Sequence, residues 1–396
     1  SLPVHAASLA EARLNALSPA MKLAANALRG GGSVENSAKA YFDEAEPGRM
    51  EALYRASEMS RGRLSEKSVR ALYGDKLRLS ASRIDKFASC RFGYFMQYGL
   101  KAKPRTPAVF APPEIGEFMH DILENVAREV MQRGGFKTVT DDELSDIPDR
   151  YTAEYISRRL NDFREKNKRF EHLFRRLIKE VRQVVLDMAQ ELRSSDFEPV
   201  YFELDFGKNE ALPPVQLGSD GDRLKLNGRV DRVDVWKNEG KLYLRIIDYK
   251  TGKKQFSLSD VYYGMGLQML LYLFSLCQNG HKLLGADEII PAGVLYFPAR
   301  EGFLNNATDM SDDSLDSKIG KELRRSGLIL DDETVIRAME DSDAPKYIPV
   351  SVKKGKLTDA SLASLERFGL LSRHVEKTLG EMARELKSGS IAADPY

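Results

Sequence analysis

Cysteine is scarce in this chain of 396 residues: Cys90 and Cys277 are its only two thiols, far apart in sequence. Two distant thiols argue against a disulfide framework and fit a reducing, cytoplasmic compartment. Long apolar runs are missing too. None approaches the roughly 18–20 residues of a membrane span, so a soluble protein with no membrane attachment is expected. No signal-peptide pattern is present; Ser1 opens an Ala-rich, polar stretch, as expected for a piece excised from a longer protein. Net charge is nearly absent, +1 from 60 basic and 59 acidic side chains, so any nucleic-acid binding must come from local patches. Gly30-Gly31-Gly32 is not followed by Gly-Lys-Ser/Thr, and with no other phosphate loop the chain is expected to carry no ATP site. What remains, 42% apolar and 30% charged residues, is an ordinary globular mixture long enough for two domains.

Residues 1–75 read as short helices, with apolar spacing at Leu9, Ala12, Leu14 and Leu17 before the triple glycine breaks the pattern. The character changes around Leu77. Ser80 or Ser82 can cap a helix carrying Ile84, Phe87, Phe92 and Phe95. A loop with Pro104, Pro107, Pro112 and Pro113 leads to a helix from Glu114 through His120 to Val126. Two long helices are predicted from 151 to 192. Between positions 158 and 182 they carry ten Lys/Arg against four Asp/Glu, either a solvated face or a phosphate-contacting one. From Val200 the periodicity turns to two, predicting strands over 201–206, 224–236 and 242–248. A helix over 259–277, a strand over 292–297 and a helical tail over 359–386 follow. The order predicts an α/β fold, a small mixed sheet flanked by helices with extensive helical additions. A helical leader over 1–75 would precede the main domain, 76–396.

Hydrolysing a phosphodiester at neutral pH requires a strong nucleophile and compensation for charge on the phosphorus oxygens, both of which a divalent cation supplies. Mg²⁺ prefers oxygen ligands, so carboxylates must converge from neighbouring strands with a cation beside them. Asp231 lies in Gly228-Arg229-Val230-Asp231-Arg232-Val233-Asp234, and Asp248 ends the next strand in Asp248-Tyr249-Lys250. Period two puts Asp248 and Lys250 on one side, so the lysine can orient water or offset phosphate charge. Tyr249 then points into the opposite layer while its main-chain carbonyl faces the metal region. Gln268 and Tyr272, four residues apart, share a helix face from which they could contact the DNA backbone or brace the lysine.

These motifs resemble the PD-(D/E)xK nuclease superfamily in its RecB-like branch. An upstream Gly-x-x-x-His motif of that branch is matched by Gly116 and His120. The resemblance implies that His120 joins Asp231, Asp248 and the Tyr249 carbonyl around Mg²⁺ or Mn²⁺, with Lys250 catalytic and Gln268 and Tyr272 positioning substrate. The stretch from Leu79 through Cys90, Phe92, Tyr94, Tyr98 and Leu100 is similar to the entry of the nuclease domain in the AddB-type chains of bacterial helicase–nucleases. Residues 1–75 would then be the tail of a helicase-like region. The resemblance further implies single-stranded DNA as an exonuclease substrate, an AddA-type partner and a role in recombinational double-strand-break repair. It also implies a 4Fe–4S cluster with Cys90 as its first ligand. The family's other three cysteines would follow Ala393-Asp394-Pro395-Tyr396, so the present chain is expected to lack the cluster. The helix around Cys90 is then expected to be loosely held. Arg91 also departs from the proline that usually follows the first cysteine.

Several residues keep a plainer reading beside the functional one. Glu203 is an outer carboxylate of the site or a strand-edge charge, and Glu124 a supporting group or a solvent-facing helix residue. Arg229, Arg232, Lys253 and Lys254 meet phosphates, or pair with acids and solvent. Cys277 reads as core. Rival functions are a stand-alone RecB-like exonuclease and a DNA-binding scaffold with a degenerate nuclease site.

Overall fold

The structure, a computed structural model, describes residues 16–28, 30–58, 62–75, 77–103, 112–159, 168–206, 215–217, 224–252, 254–299, 323–353, 356–358 and 361–396. The apolar positions Leu9, Ala12 and Leu14, the proline loop up to 111, part of the basic run at 160–167, and Lys253 lie outside these residues. Two compact units divide after Gly62, so residues 63–75 fold with the larger unit rather than with the leader. The reason is local: the helix Glu66–Tyr73 is anchored through Leu64, whose amide donates to the Gly389 carbonyl at 2.8 Å.

The smaller unit contains α1 (Leu17–Ala27), α2 (Ser33–Ala45) and α3 (Pro47–Glu58), packed around Leu23, Ala24, Phe42 and Met50. The larger unit opens with α4 (Glu66–Tyr73), β1 (Arg78–Leu79), α5 (Ala81–Ser89), α6 (Arg91–Tyr94) and a π-helical turn, Phe95–Gly99. The predicted single helix through Phe95 therefore breaks at Cys90, which is extended (φ −172°, ψ 116°) and caps α6 by accepting from the Gly93 amide. Long helices α7 (Pro112–Gln132), α8 (Asp141–Arg159) and α9 (Lys168–Arg193) follow. Described cations of the basic run meet acids of neighbouring helices: Arg158 with Asp121 at 3.7 Å, Arg159 with Glu117 at 3.8 Å, and Arg182 with Asp149. That pairing favours the solvated-face reading.

Then come β2 (Glu198–Phe206), β3 (Val215–Leu217), β4 (Leu224–Leu226), β5 (Gly228–Asn238) and β6 (Lys241–Lys250). The expected strand over 224–236 is two strands in different sheets, interrupted at Asn227. Next are α10 (Leu258–Tyr262), α11 (Gln268–Asn279), α12 (His281–Leu284), β7 (Ile289–Pro298) and β8 (Ser326–Leu330). The single helix expected over 259–277 is split because Gly264 and Gly266 adopt left-handed φ of +83° and +64°. The chain closes with α13 (Glu333–Met339), β9 (Ser351–Lys353), β10 (Lys356–Thr358), β11 (Leu362–Ala363) and α14 (Leu365–Lys387).

The central sheet has six strands in the order β11-β8-β7-β6-β5-β2. It is mixed: β6 runs parallel to β7, while β5 pairs antiparallel with β2 and β6. β6 and β7 are buried almost throughout because helices cover both faces, with α11 packing on both strands. The face carrying Arg245 and Tyr249 meets α9 through Glu191 and Met188. No helix among the described residues is long and apolar enough to cross a membrane.

Candidate active site

Three elements converge beside the end of the β5–β6 hairpin. α7 brings His120, β5 brings Asp231, and β2 brings Glu203. Their ligand-capable atoms all lie within 4.8 Å of one another. His120 Nδ1 stands 3.6 Å from both Asp231 Oδ1 and Glu203 Oε1. Its Nε2 lies 3.0 Å from the Tyr249 carbonyl and donates to it when that nitrogen carries a proton. Asp231 Oδ2 accepts from the Tyr249 amide at 2.7 Å, so the main chain of Tyr249 holds two site residues at once.

Asp248 and Lys250 leave β6 on the same side and form an ion pair, as period two requires. Asp248 Oδ2 is buried and makes no hydrogen bond beyond that contact. Tyr249 points the other way, its hydroxyl accepting from Arg232 at 3.3 Å and lying 3.4 Å from Met188 Sδ.

The electrostatics describe a site short of positive charge. Burial pushes the Asp231 carboxyl up to about 7, and the like charge of Asp248 adds to the rise. Burial alone would lower the His120 imidazole, but Glu203 and Asp231 outweigh it and raise it to about 9. Glu203 moves the opposite way: burial would raise it, while His120 and Arg229 draw it down. Two repelling carboxylates, a third held by borrowed cations, and a buried Asp248 oxygen whose one partner is the Lys250 ammonium together fit a divalent cation.

Glu203 is the residue that sequence patterning left undecided, and the structure places it in the cluster. The β2–β5 register shifts by one between Pro199 and Tyr201. Downstream, Phe202 pairs with Arg232 and Leu204 with Val230, which sets Glu203 opposite Asp231. The register alignment could have found it, but the bulge hides that alignment from simple alternation. Glu203 has a left-handed φ of +51°. Arg128 braces the preceding carbonyl of Phe202 at 2.7 Å and is itself paired with Glu124, giving Glu124 a supporting contact.

At two positions packing decides between the readings left open. Tyr272 is 5% exposed and does not face DNA: its ring stacks on Phe206 at 5.0 Å, and its hydroxyl is packed against Gly228. It therefore braces β5, and Gly228 is glycine because a Cβ there would sit 1.8 Å from the Tyr272 hydroxyl. Arg232 is fully buried and bidentate to Asp234, at 2.8 and 2.9 Å, so it meets no phosphate. Lys254 instead stands 5.1 Å from the Tyr296 ring, which Lys250 also approaches at 5.8 Å. Cys277 is half-buried on α11, and burial pushes its thiol up to about 12.

A family model for the PD-(D/E)XK nuclease superfamily matches residues 78–396. The chain belongs to that superfamily. It is 37% identical over 342 residues to a protein of Clostridium novyi (strain NT) named as a subunit of an ATP-dependent helicase/deoxyribonuclease, covering 84% of this chain and 30% of that protein. The equivalently named protein of Acetivibrio thermocellus is 36% identical over 344 residues, with the same coverage of each chain. Another, from Thermoanaerobacter sp. (strain X514), is 35% identical over 336 residues, covering 83% of this chain and 29% of the relative. The chain thus spans under a third of the length of these relatives.

Proposed function

We propose that this domain is a DNA nuclease whose His120, Asp231, Asp248 and Tyr249 carbonyl, with Glu203, hold Mg²⁺ or Mn²⁺. The observation that carries the reading is the convergence of His120, Glu203 and Asp231 within 4.8 Å. A bound divalent cation supplies an acidified water and neutralises charge on the scissile phosphate. Asp231 and Asp248 contribute the negative charge that makes the position favourable for it. Lys250 presents its ammonium to the phosphate oxygens and orients the attacking water, while Asp248 keeps that ammonium in place. Gln268, at the start of α11, positions substrate at the edge of the site, and Tyr272 acts behind it.

Similarity to proteins named helicase/deoxyribonuclease supports a wider proposal for the longer protein: single-stranded DNA, fed by a motor and an AddA-type partner, degraded exonucleolytically during recombinational break repair in the cytoplasm. Residues 1–62 would belong to the helicase-like portion. Cys90 would give one thiolate to a 4Fe–4S cluster completed by residues outside these 396; the two thiols here cannot hold one. Two main-chain hydrogen bonds join the segment around Cys90 to the C-terminal residues. The Tyr396 amide donates to the Ser89 carbonyl and the Phe92 amide to the Ala392 carbonyl, each at 2.9 Å; hydrogen exchange around Cys90 as slow as in the Asp231 strand would contradict the loosely held helix expected there.

The test is cleavage of end-labelled single-stranded DNA with Mg²⁺ by Asp248→Ala and Lys250→Ala. Both should lose activity, and undiminished cleavage by either variant would overturn the assignment.

A further inference from the structure

Arg229 occupies a position that the cleavage chemistry above leaves unused. It shares the site face of β5 with Asp231, two residues on, and its side chain is 51% exposed. Its Nη1 donates to Glu203 Oε2 at 3.0 Å and its Nε to Asp205 Oδ1 at 3.2 Å. Glu203 is therefore shared. One oxygen faces Arg229, and the other lies 3.6 Å from His120 Nδ1 within the ligand cluster. The backbone keeps it there at some cost: a left-handed φ in a non-glycine residue is worth about 1–2 kcal/mol, and Arg128 holds the adjoining carbonyl.

A divalent cation held through Glu203 Oε1 withdraws negative charge from the carboxylate and weakens the hold of its Oε2 on Arg229. Asp205 still tethers Arg229 through Nε, which leaves the Nη groups free to turn to another anion. A planar guanidinium held by one edge is suited to a phosphate on the other. We propose that Arg229 is a phosphate-binding residue gated by Glu203: locked on Glu203 without the cation, and released to a DNA phosphate when the cation takes Glu203. Cation and DNA then bind cooperatively, each strengthening the other by the same factor. This rests on the reading that the cluster holds a divalent cation.

The experiment measures Mg²⁺ binding by calorimetry and binding of a hydrolysis-resistant phosphorothioate oligonucleotide by anisotropy, with and without Mg²⁺. For the unaltered protein Mg²⁺ should tighten DNA binding on the order of 10-fold. Arg229→Ala should bind Mg²⁺ at least as tightly as the parent, yet bind DNA more weakly and lose the coupling. Glu203→Gln should bind Mg²⁺ more weakly but DNA more tightly in its absence, and that gain should vanish in the Arg229→Ala/Glu203→Gln double variant. Opposite signs for the two ligands are not produced by a general structural defect; thermal melts confirm that each variant folds. Coupling retained in Arg229→Ala, or equal weakening of both ligands, overturns the gate while leaving the nuclease reading intact. An unaltered protein that binds no Mg²⁺ overturns both.

Discussion

Two triplets of the same composition, Arg229-Val230-Asp231 and Arg232-Val233-Asp234, follow each other along β5 and come to opposite fates. A step of three in a structure of period two sends the first Arg/Asp pair to one face of the sheet and the second to the other. On the α9 side, Arg232, Asp234, Arg245, Arg325, Asp187 and Glu191 form one ionic set, all nearly or fully buried. Asp234 accepts from Arg232 and Arg245, and Glu191 accepts from Arg325 at 2.7 Å and lies near the other two guanidiniums. Burial would raise Glu191, but the three arginines bring it down to about 2. This set is balanced three against three. On the other side, carboxylates outnumber the cations near them, and Asp231 is pushed up instead. A balanced buried network can hold elements together, whereas an unbalanced one at the surface is poised to take a cation.

The largest contrast comes from exchanging the two losses. Asp231→Ala should reduce Mg²⁺-dependent cleavage by at least ~10²–10³-fold, on the scale of losing a transition-state stabilising group, without lowering the urea midpoint. Asp234→Ala should cost about 3–5 kcal/mol of stability, because Arg232 and Arg245 are left buried without their shared acceptor. Equal destabilisation by the two variants would erase the distinction between the faces.

A smaller effect has the opposite sign. In metal-free protein, Asp231→Asn should stabilise the fold by ~1–3 kcal/mol at pH 8, since ionised Asp231 is opposed by burial and by Asp248. A carboxyl raised in the folded state binds its proton more tightly there than in the unfolded chain. Its destabilising effect is therefore absent below about pH 4 and grows until the pH passes the folded value near 7. Denaturation across that window should show the gain of Asp231→Asn shrinking as pH falls. A gain that grows on acidification would refute the account.

Much of the active face was legible because period two and charge chemistry act over short distances. Asp248, Tyr249 and Lys250 needed only one strand, and Asp231 only the neighbouring hairpin arm. Glu203 was legible only as one of two readings, since a bulge and a left-handed backbone set its register. Tyr272 was placed on the correct helix, but its burial depends on Phe206 and Gly228, whose approach only the fold reveals. The ionic network was opaque for a similar reason. Asp187 and Glu191 sit in a charge-dense helix that reads as solvated, and their partner Arg325 lies 134 residues beyond Glu191.

The smallest effect probes whether the two faces communicate. Tyr249 touches both, with its hydroxyl against Arg232 and Met188 and its main chain against Asp231 and His120. Tyr249→Phe keeps the ring contact with Phe297 and removes only the hydroxyl. The Asp231 and His120 contacts belong to the backbone, so the substitution should leave them in place. Stability should fall by about 1 kcal/mol, the scale of one buried hydrogen bond, and Mg²⁺-dependent kcat should change less than about 2-fold. A kcat loss beyond 10-fold, with Mg²⁺ affinity weakened alongside it, would mean that the buried network sets the geometry of the site through this one side chain, and the two faces would have to be treated as a single device.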